Sequence, residues 1–416
     1  MALGMPIGLS MGVVGFMGLA VITSVEAAIN RLGQTAFTST ASYVIAVLPL
    51  FVLMGEFASL SGLSGEGYKT MHKWLGRLPG GLAMATIGGC AGFAAVCGSS
   101  LATATTMASV ALPEMRELKY DPRLATGSLA AGGTLGILIP PSTAFVLYGI
   151  ITEQPIGKLL LSGVLPGILL SLLFIILIYI WATWNPSLAP SGPKISWRER
   201  LISLKDLWAL LILFLVVMGG IYAGIFTATE AAGAGAFVAF LIGLGRRRLT
   251  KETIIASFMN TLRTTGMVFI LIICATFFGY FVAISGLAVA LAGFIGTLPI
   301  PSLGVLIVVL LVFLILGCMM DAYSMMLIVV PIVYPVVLAI GVDPIFFGVL
   351  MVIMMEMGMI TPPIGMNVFA MAGVARDVSM YTIFRGVFPF VLAMAVCVAI
   401  LIAFPQIALF LPNAMK

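Results

Sequence analysis

The dipeptide Pro140–Pro141 returns 222 residues later as Pro362–Pro363, and the spacing is not an isolated coincidence. At the same offset Pro79 meets Pro301, Pro113 meets Pro335, Asp121–Pro122 meets Asp343–Pro344, and Gly136 meets Gly358. With proline near 5% of an average chain, roughly 0.2 proline coincidences are expected over such a stretch, and five occur. Just upstream, an offset of 224 pairs Gly55 with Gly279, Phe57 with Phe281, and Ser61-Gly62-Leu63 with Ser285-Gly286-Leu287. The chain is therefore two copies of one unit, and any fold must place each helix breaker twice.

Composition sets the solvent in which that unit folds. At 62% hydrophobic and 8% charged residues over 416, the chain lacks the polar surface to coat a water-soluble globule. It reads as an all-α polytopic membrane protein of roughly ten membrane helices. A soluble enzyme is excluded, and no Ser-His-Asp set, HExxH, P-loop or dinucleotide fingerprint appears. No basic run interleaved with aromatics suggests nucleic acid. The five cysteines lie in apolar runs without metal-type spacing and read as packing thiols. The start MALGMPIGLSMG shows neither a charged leader region nor a small-residue cleavage site, so no removable signal peptide is expected.

Each copy has the same order of parts. Residues 1–78 hold scaffold helices and an interfacial arm, and 79–155 a hairpin and a broken helix. Residues 156–300 hold further scaffold helices, a cytoplasmic loop and the second arm. The second hairpin and broken helix occupy 301–375, and a final scaffold helix 376–416. The hairpin tips CGSSLAT (97–103) and CMMDAYS (318–324) are polar inside apolar runs, which argues for re-entrant hairpins instead of simple crossings. If the hairpins return to their own sides, seventeen of the twenty Lys/Arg share one face, and only Arg31, Lys158 and Lys416 fall on the other. The positive-inside rule makes the crowded face cytoplasmic, and the two repeats come out inverted.

Helix ends near the bilayer midplane are what an ion needs. The N-termini after Ser99, Asp321, Pro140 and Pro362 would aim unpaired N–H groups at an anion, and the facing C-termini would offer carbonyls to a hard cation such as sodium. Asp321 is an isolated carboxylate in an apolar run, which points to a site role, with a cap for the return helix as the plain alternative. Ser99, its repeat mate, and Ser100 fit either a ligand or a cap, and so do Ser142 and Asn367 just after the breaks. Thr361 fits sodium or its own backbone. Glu356, one turn before the second break, fits a packed, paired or protonated role as well as a coupling role. Glu26 and Glu230 read as caps or interfacial pairs, Glu56 as facing a helix contact, and His72 as an interfacial side chain.

The tip FAAVCGSS, the break GTLGILIPPS, the stretch GIFTATEAA (224–232), the tip CMMDAYS and the break GMITPPIGMN resemble the large membrane subunit of tripartite ATP-independent periplasmic (TRAP) transporters, the DctM type. The resemblance covers almost the whole chain. It implies a bacterial inner-membrane, sodium-driven importer of organic anions, carboxylates or sulfonates, working by an elevator movement. It also implies two partners: a periplasmic substrate-binding protein of the DctP type and a small four-helix membrane subunit of the DctQ type. Carried onto this chain, a first sodium site would use Cys97, Gly98 and Ser99 with the backbone at Gly133, Gly136 and Pro140. A second would use Gly317, Met319 and Asp321 with Gly358, Thr361, Pro362 and Gly365. The anion would sit near Ser99, Ser142, Asp321 and Asn367. Two features depart from the family pattern: Cys97 stands where a small residue or Ser is usual, and one hydrophobic helix usually precedes GMPIG. A divalent-anion sodium symporter working without a binding protein is the alternative, but its Ser-Asn-Thr tips are not present.

Overall fold

Proline and glycine placement decides where the helices start and stop. The computed structural model describes residue 5 and residues 7–190, 192, 195–287, 290, 293 and 299–415. Within them the regular structure is helical. In each copy an Asp caps a helix that opens on Pro: Asp121 Oδ1 accepts from the Arg123 N–H at 2.8 Å, and Asp343 Oδ1 from those of Ile345 and Phe346 at 2.8 and 2.9 Å. Pro at the first helical position sacrifices only an N–H that no helical acceptor needs. Arg123 also hydrogen-bonds the Asp121 carboxyl, holding it below the usual carboxylate range.

The repeat is visible in the helix bounds. The first hairpin is Gly81–Cys97 and Ser100–Glu117, the second Ser302–Gly317 and Ala322–Ala339, and the return helices begin and end at equivalent residues at the 222 offset. The first broken helix runs Pro122–Leu138 and, after a 42° bend, Thr143–Thr152. The second runs Pro344–Met359 and Met366–Val374. Both Pro-Pro bonds are cis. Upstream, Val47–Leu60 and Lys251–Ile284 end at equivalent residues, each followed by Ser and a left-handed Gly, Gly62 at φ 77° and Gly286 at φ 70°. A left-handed glycine ends a helix and turns the chain. After Gly62 it turns into the amphipathic arm Leu63–Leu75. The second arm, expected within 286–300, lies largely outside the described residues.

The copies embrace each other. Val47–Leu60 packs on Ala228–Gly245 and on Lys251–Ile284, along which Ile7–Ile22 also runs. Thr143–Thr152 of the first copy packs on Ala322–Ala339 of the second, and Met366–Val374 of the second packs on Ser100–Glu117 of the first. At the centre, every residue from Leu124 to Leu138 and from Phe346 to Met359 is buried. Outward, Leu172, Ile176, Phe237, Leu262 and Phe388 stay exposed, as a lipid-facing surface requires.

By length and composition the described residues contain seven helices long and apolar enough to cross, or eight if the bent pair counts as one span, besides four shorter apolar helices. Ser302–Gly317 and Pro344–Met359 have 16 residues each, about 24 Å at 1.5 Å per residue, short of a roughly 30 Å hydrocarbon layer. His72 turns inward from the arm, with Nδ1 3.0 Å from the Glu114 carboxylate on the first hairpin. The cap reading of Glu230 agrees with the structure, where it closes a capping box with Thr227.

Glycine brings tips and breaks into backbone contact. A Cβ on Gly136 would lie 2.5 Å from the Ser99 carbonyl oxygen, and one on Gly358 would lie 2.7 Å from the Gly317 Cα. Gly358→Ala is expected to cost about 1–3 kcal/mol of stability through overpacking. Gly373→Ala, where nothing lies within 4 Å of the new methyl, should be neutral or slightly stabilising. Thermal unfolding of the purified protein in detergent compares the two, and equal melting points would show that the tip and break can separate freely.

Candidate functional site

The first tip is built from a helix that stops at Cys97, a left-handed Gly98, and Ser99, whose hydroxyl caps the return helix by accepting from the Ala102 N–H at 3.4 Å. It lies against the first break. The Thr143 hydroxyl donates to the Gly98 carbonyl at 2.7 Å, a Cβ on Gly98 would sit 2.7 Å from the Pro141 oxygen, and one on Gly133 would sit 3.0 Å from the Ser100 oxygen. Because Pro140 and Pro141 have no N–H, the carbonyls of Gly136 and Ile137 lose their helical donors beside this tip. The sequence-predicted group Cys97, Gly98, Ser99, Gly133, Gly136 and Pro140 is therefore brought together.

The second tip repeats the plan with different chemistry. Asp321 caps its return helix, accepting from the Ser324 N–H at 3.0 Å. The Cys318 carbonyl accepts from the N–H groups of Ile364 and Gly365 at 3.1 and 3.4 Å, so tip and break are joined through the backbone. Gly317 and Gly358 touch, and the Thr361 hydroxyl donates to the Met357 carbonyl at 2.6 Å. Gly317, Asp321, Gly358, Thr361, Pro362 and Gly365 thus belong to one neighbourhood, where the Met319 side chain is 59% exposed and leaves only its backbone for an ion. Among the described residues no three His, Cys, Asp or Glu side chains converge, so any ion here would be held mainly by carbonyl and hydroxyl oxygens.

The two neighbourhoods meet at one bond. Thr143 of the first break also pairs with the Tyr323 hydroxyl of the second tip at 2.7 Å. Both line a cavity of about 290 Å³ together with Gly55, Glu56, Ser59, Cys97, Ser99, Thr105, Thr106 and Thr264. Its walls come from the first hairpin, the Val47–Leu60 helix and the middle of Lys251–Ile284.

Of the four residues expected around the anion, the structure brings Ser99 to this cavity. Ser142 is fully buried and caps Thr143–Thr152 through the Phe145 N–H at 3.2 Å. Asp321 lies just beyond the lining residue Tyr323. Asn367 is fully buried and makes no cap: Gly365 holds that position, and both amide atoms of Asn367 lack a hydrogen-bond partner. Sequence reasoning missed Thr143, Tyr323, Thr264 and Glu56. The helix contact expected of Glu56 is present, its carboxylate accepting from the Asn260 side chain of Lys251–Ile284 at 3.4 Å, and it lines the cavity as well. Tyr323 had a signal, a hydroxyl inside the polar tip; Thr264 had none.

The sequence matches the family described as "Tripartite ATP-independent periplasmic transporter, DctM component" over residues 1–407. The C4-dicarboxylate TRAP transporter large permease protein DctM of Pseudomonas aeruginosa is 34% identical over 92% of this chain and 90% of its own length. The sialic acid TRAP transporter large permease protein SiaM of Vibrio cholerae is 31% identical over 99% and 95%. The isethionate TRAP transporter permease protein DctMQ of Oleidesulfovibrio alaskensis is 34% identical over 99% of this chain, which spans 64% of that longer relative. Among solved structures, the YdaH transporter of Alcanivorax borkumensis aligns with a TM-score of 0.68 over 96% of this chain and 98% of its own, at 15% identity. MtrF of Neisseria gonorrhoeae aligns at 0.62 over 92% and 85%, at 13% identity, and both likenesses concern the fold alone. A family match across nearly the whole length, joined to paired tips and Pro-Pro breaks, makes this chain a multi-pass membrane protein of the TRAP transporter DctM family.

Proposed function

We propose that this chain is the large membrane subunit of a sodium-coupled importer that moves a small organic anion across the bacterial inner membrane. The observation that carries the proposal is the Thr143 hydroxyl, which bonds the first tip and the second tip at the edge of one polar cavity. Related proteins are described as permeases for C4-dicarboxylates, sialic acid and isethionate, which all present an acidic group. The reading gives the cavity to the anion, with Ser99, Thr143 and Tyr323 as hydroxyl partners and Asp321 close by. Sodium takes the two places where a tip meets its own break.

Ser59 and Thr106 line the cavity on the side of the Lys- and Arg-rich arm and hairpin base. In the elevator movement the two hairpins and broken helices slide together against the helices Val47–Leu60 and Lys251–Ile284. A periplasmic binding protein delivers the substrate, and a small four-helix subunit covers part of the exposed apolar scaffold.

Uptake into proteoliposomes is expected to require an inward sodium gradient, the small subunit and the loaded binding protein, and to need no ATP. Undiminished uptake with potassium in place of sodium, or from this chain alone, would reject the assignment.

Asp321 differs from Ser99 in carrying charge. A carboxylate beside an anionic substrate repels it until a cation neutralises the pair, so Asp321 links sodium to substrate. Asp321→Asn keeps the helix cap and removes the charge. It should lower transport by roughly tenfold or more, about 1.4 kcal/mol, and flatten the sodium dependence of substrate binding. Ser99→Ala should weaken substrate binding with sodium affinity less affected. Binding isotherms for the purified variants at several sodium concentrations decide it: a wild-type sodium response in Asp321→Asn removes the coupling role.

A further inference from the structure

Three buried polar side chains without partners, on helices of the two copies, are used by neither the anion nor the two tip-to-break sites. Glu356 is 1% exposed, and both of its carboxylate oxygens lack a hydrogen-bond partner. None of the ion pairs among the described residues reaches it. The Ser100 hydroxyl of the first hairpin approaches this carboxylate, yet it too is buried without completing a hydrogen bond. Asn367, fully buried with both amide atoms unpaired, stands on Met366–Val374, which packs against the helix that Ser100 begins. Thr103 is also unpaired, but its hydroxyl faces Gly136 and belongs to the first tip.

The repeat shows that the fold does not require these groups. At the 222 offset the mate of Glu356 is Thr134, whose hydroxyl donates to its own helix at the Ala131 carbonyl, 2.6 Å away. The mate of Asn367 is Phe145, and that of Ser100 is Ala322. The same architecture is thus built once with apolar or self-satisfied residues and once with three unsatisfied polar side chains. Unpaired buried polar groups, and an unpaired carboxylate above all, call for a partner.

We propose that Glu356, Ser100 and Asn367 hold a monovalent cation between the two repeats, a third ion site separate from the two where each tip meets its own break. One carboxylate, one hydroxyl and one carboxamide oxygen form a hard donor set, and a single negative charge matches a single positive one. A divalent ion would ask for more carboxylates. The proposal rests on the sodium-coupled reading only for the identity of the ion. The site would clamp the first hairpin to the second broken helix. It would lie close to the substrate as well, since Tyr323 at the cavity wall is an electrostatic neighbour of both Glu356 and Asp321.

The test counts ions. The chain, purified with its small subunit, is titrated with radioactive sodium without substrate, choline replacing sodium, alongside sodium-dependent thermal shifts. Glu356→Gln should bind one sodium fewer at saturation than wild type. Ser100→Ala and Asn367→Ala should keep the full count but need roughly tenfold more sodium to reach it. A wild-type count and affinity in Glu356→Gln would overturn the site, leaving a neutral packed carboxyl. If Glu356→Gln does not fold, Ser100→Ala decides alone, because it removes one oxygen and little volume, and unchanged sodium affinity there overturns the proposal. Should wild type bind no sodium, the sodium-coupled reading fails first. The same titration with potassium and lithium then judges the site, and no saturable binding of either rejects it.

Discussion

Backbone polar groups set free by the two Pro-Pro pairs are the constraint on which the rest of this structure depends. Inside an apolar layer a broken helix is tolerable only where something other than lipid meets its loose carbonyls and N–H groups. Here each break is met by a hairpin tip of its own copy. The Cys318 carbonyl takes the N–H groups of Ile364 and Gly365, and the Gly98 carbonyl takes the Thr143 hydroxyl. A tip needs a polar break beside it, and a break needs a tip.

That mutual need explains the glycines. Contacts between backbones are possible only where no Cβ intervenes, and Gly136 against Ser99, Gly98 against Pro141 and Gly358 against Gly317 are such meetings of tip and break. Each hairpin is thereby joined to the broken helix of its own copy, while Val47–Leu60 and Lys251–Ile284 pack beside them, and Gly55 lets the first of these helices meet the Cys97 backbone.

The two copies share geometry and divide chemistry. Caps, prolines and helix bounds repeat, yet Asp321 stands opposite Ser99, Glu356 opposite Thr134 and Asn367 opposite Phe145. An exactly doubled set of carboxylates would bring like charges together near the centre, where low polarity makes repulsion strong. The divergence leaves hydroxyls on the first hairpin where the second copy carries carboxyl and carboxamide groups.

Much of the fold was legible in the sequence, because its controlling signals are local. Pro-Pro, Asp-Pro and Ser-Gly act on the few residues beside them, so their recurrence at one spacing marked both broken helices, both hairpins and the groups of residues at each tip and break. Hydropathy alone marked a membrane protein, and the polar tip after Ser302–Gly317, which stops after 16 residues, marked a segment too short to cross. Who faces the cavity was decided only by tertiary structure. Thr143, Tyr323, Thr264 and Glu56 come from four segments separated by many residues, and nothing in the spacing of one helix tells which of its faces will meet another. Asn367 shows the same limit: its place after a break suggested a cap, whereas packing against the other copy buries it with its amide unsatisfied. Local backbone chemistry can be read along a chain, but the meeting of distant side chains depends on how the copies are laid against each other.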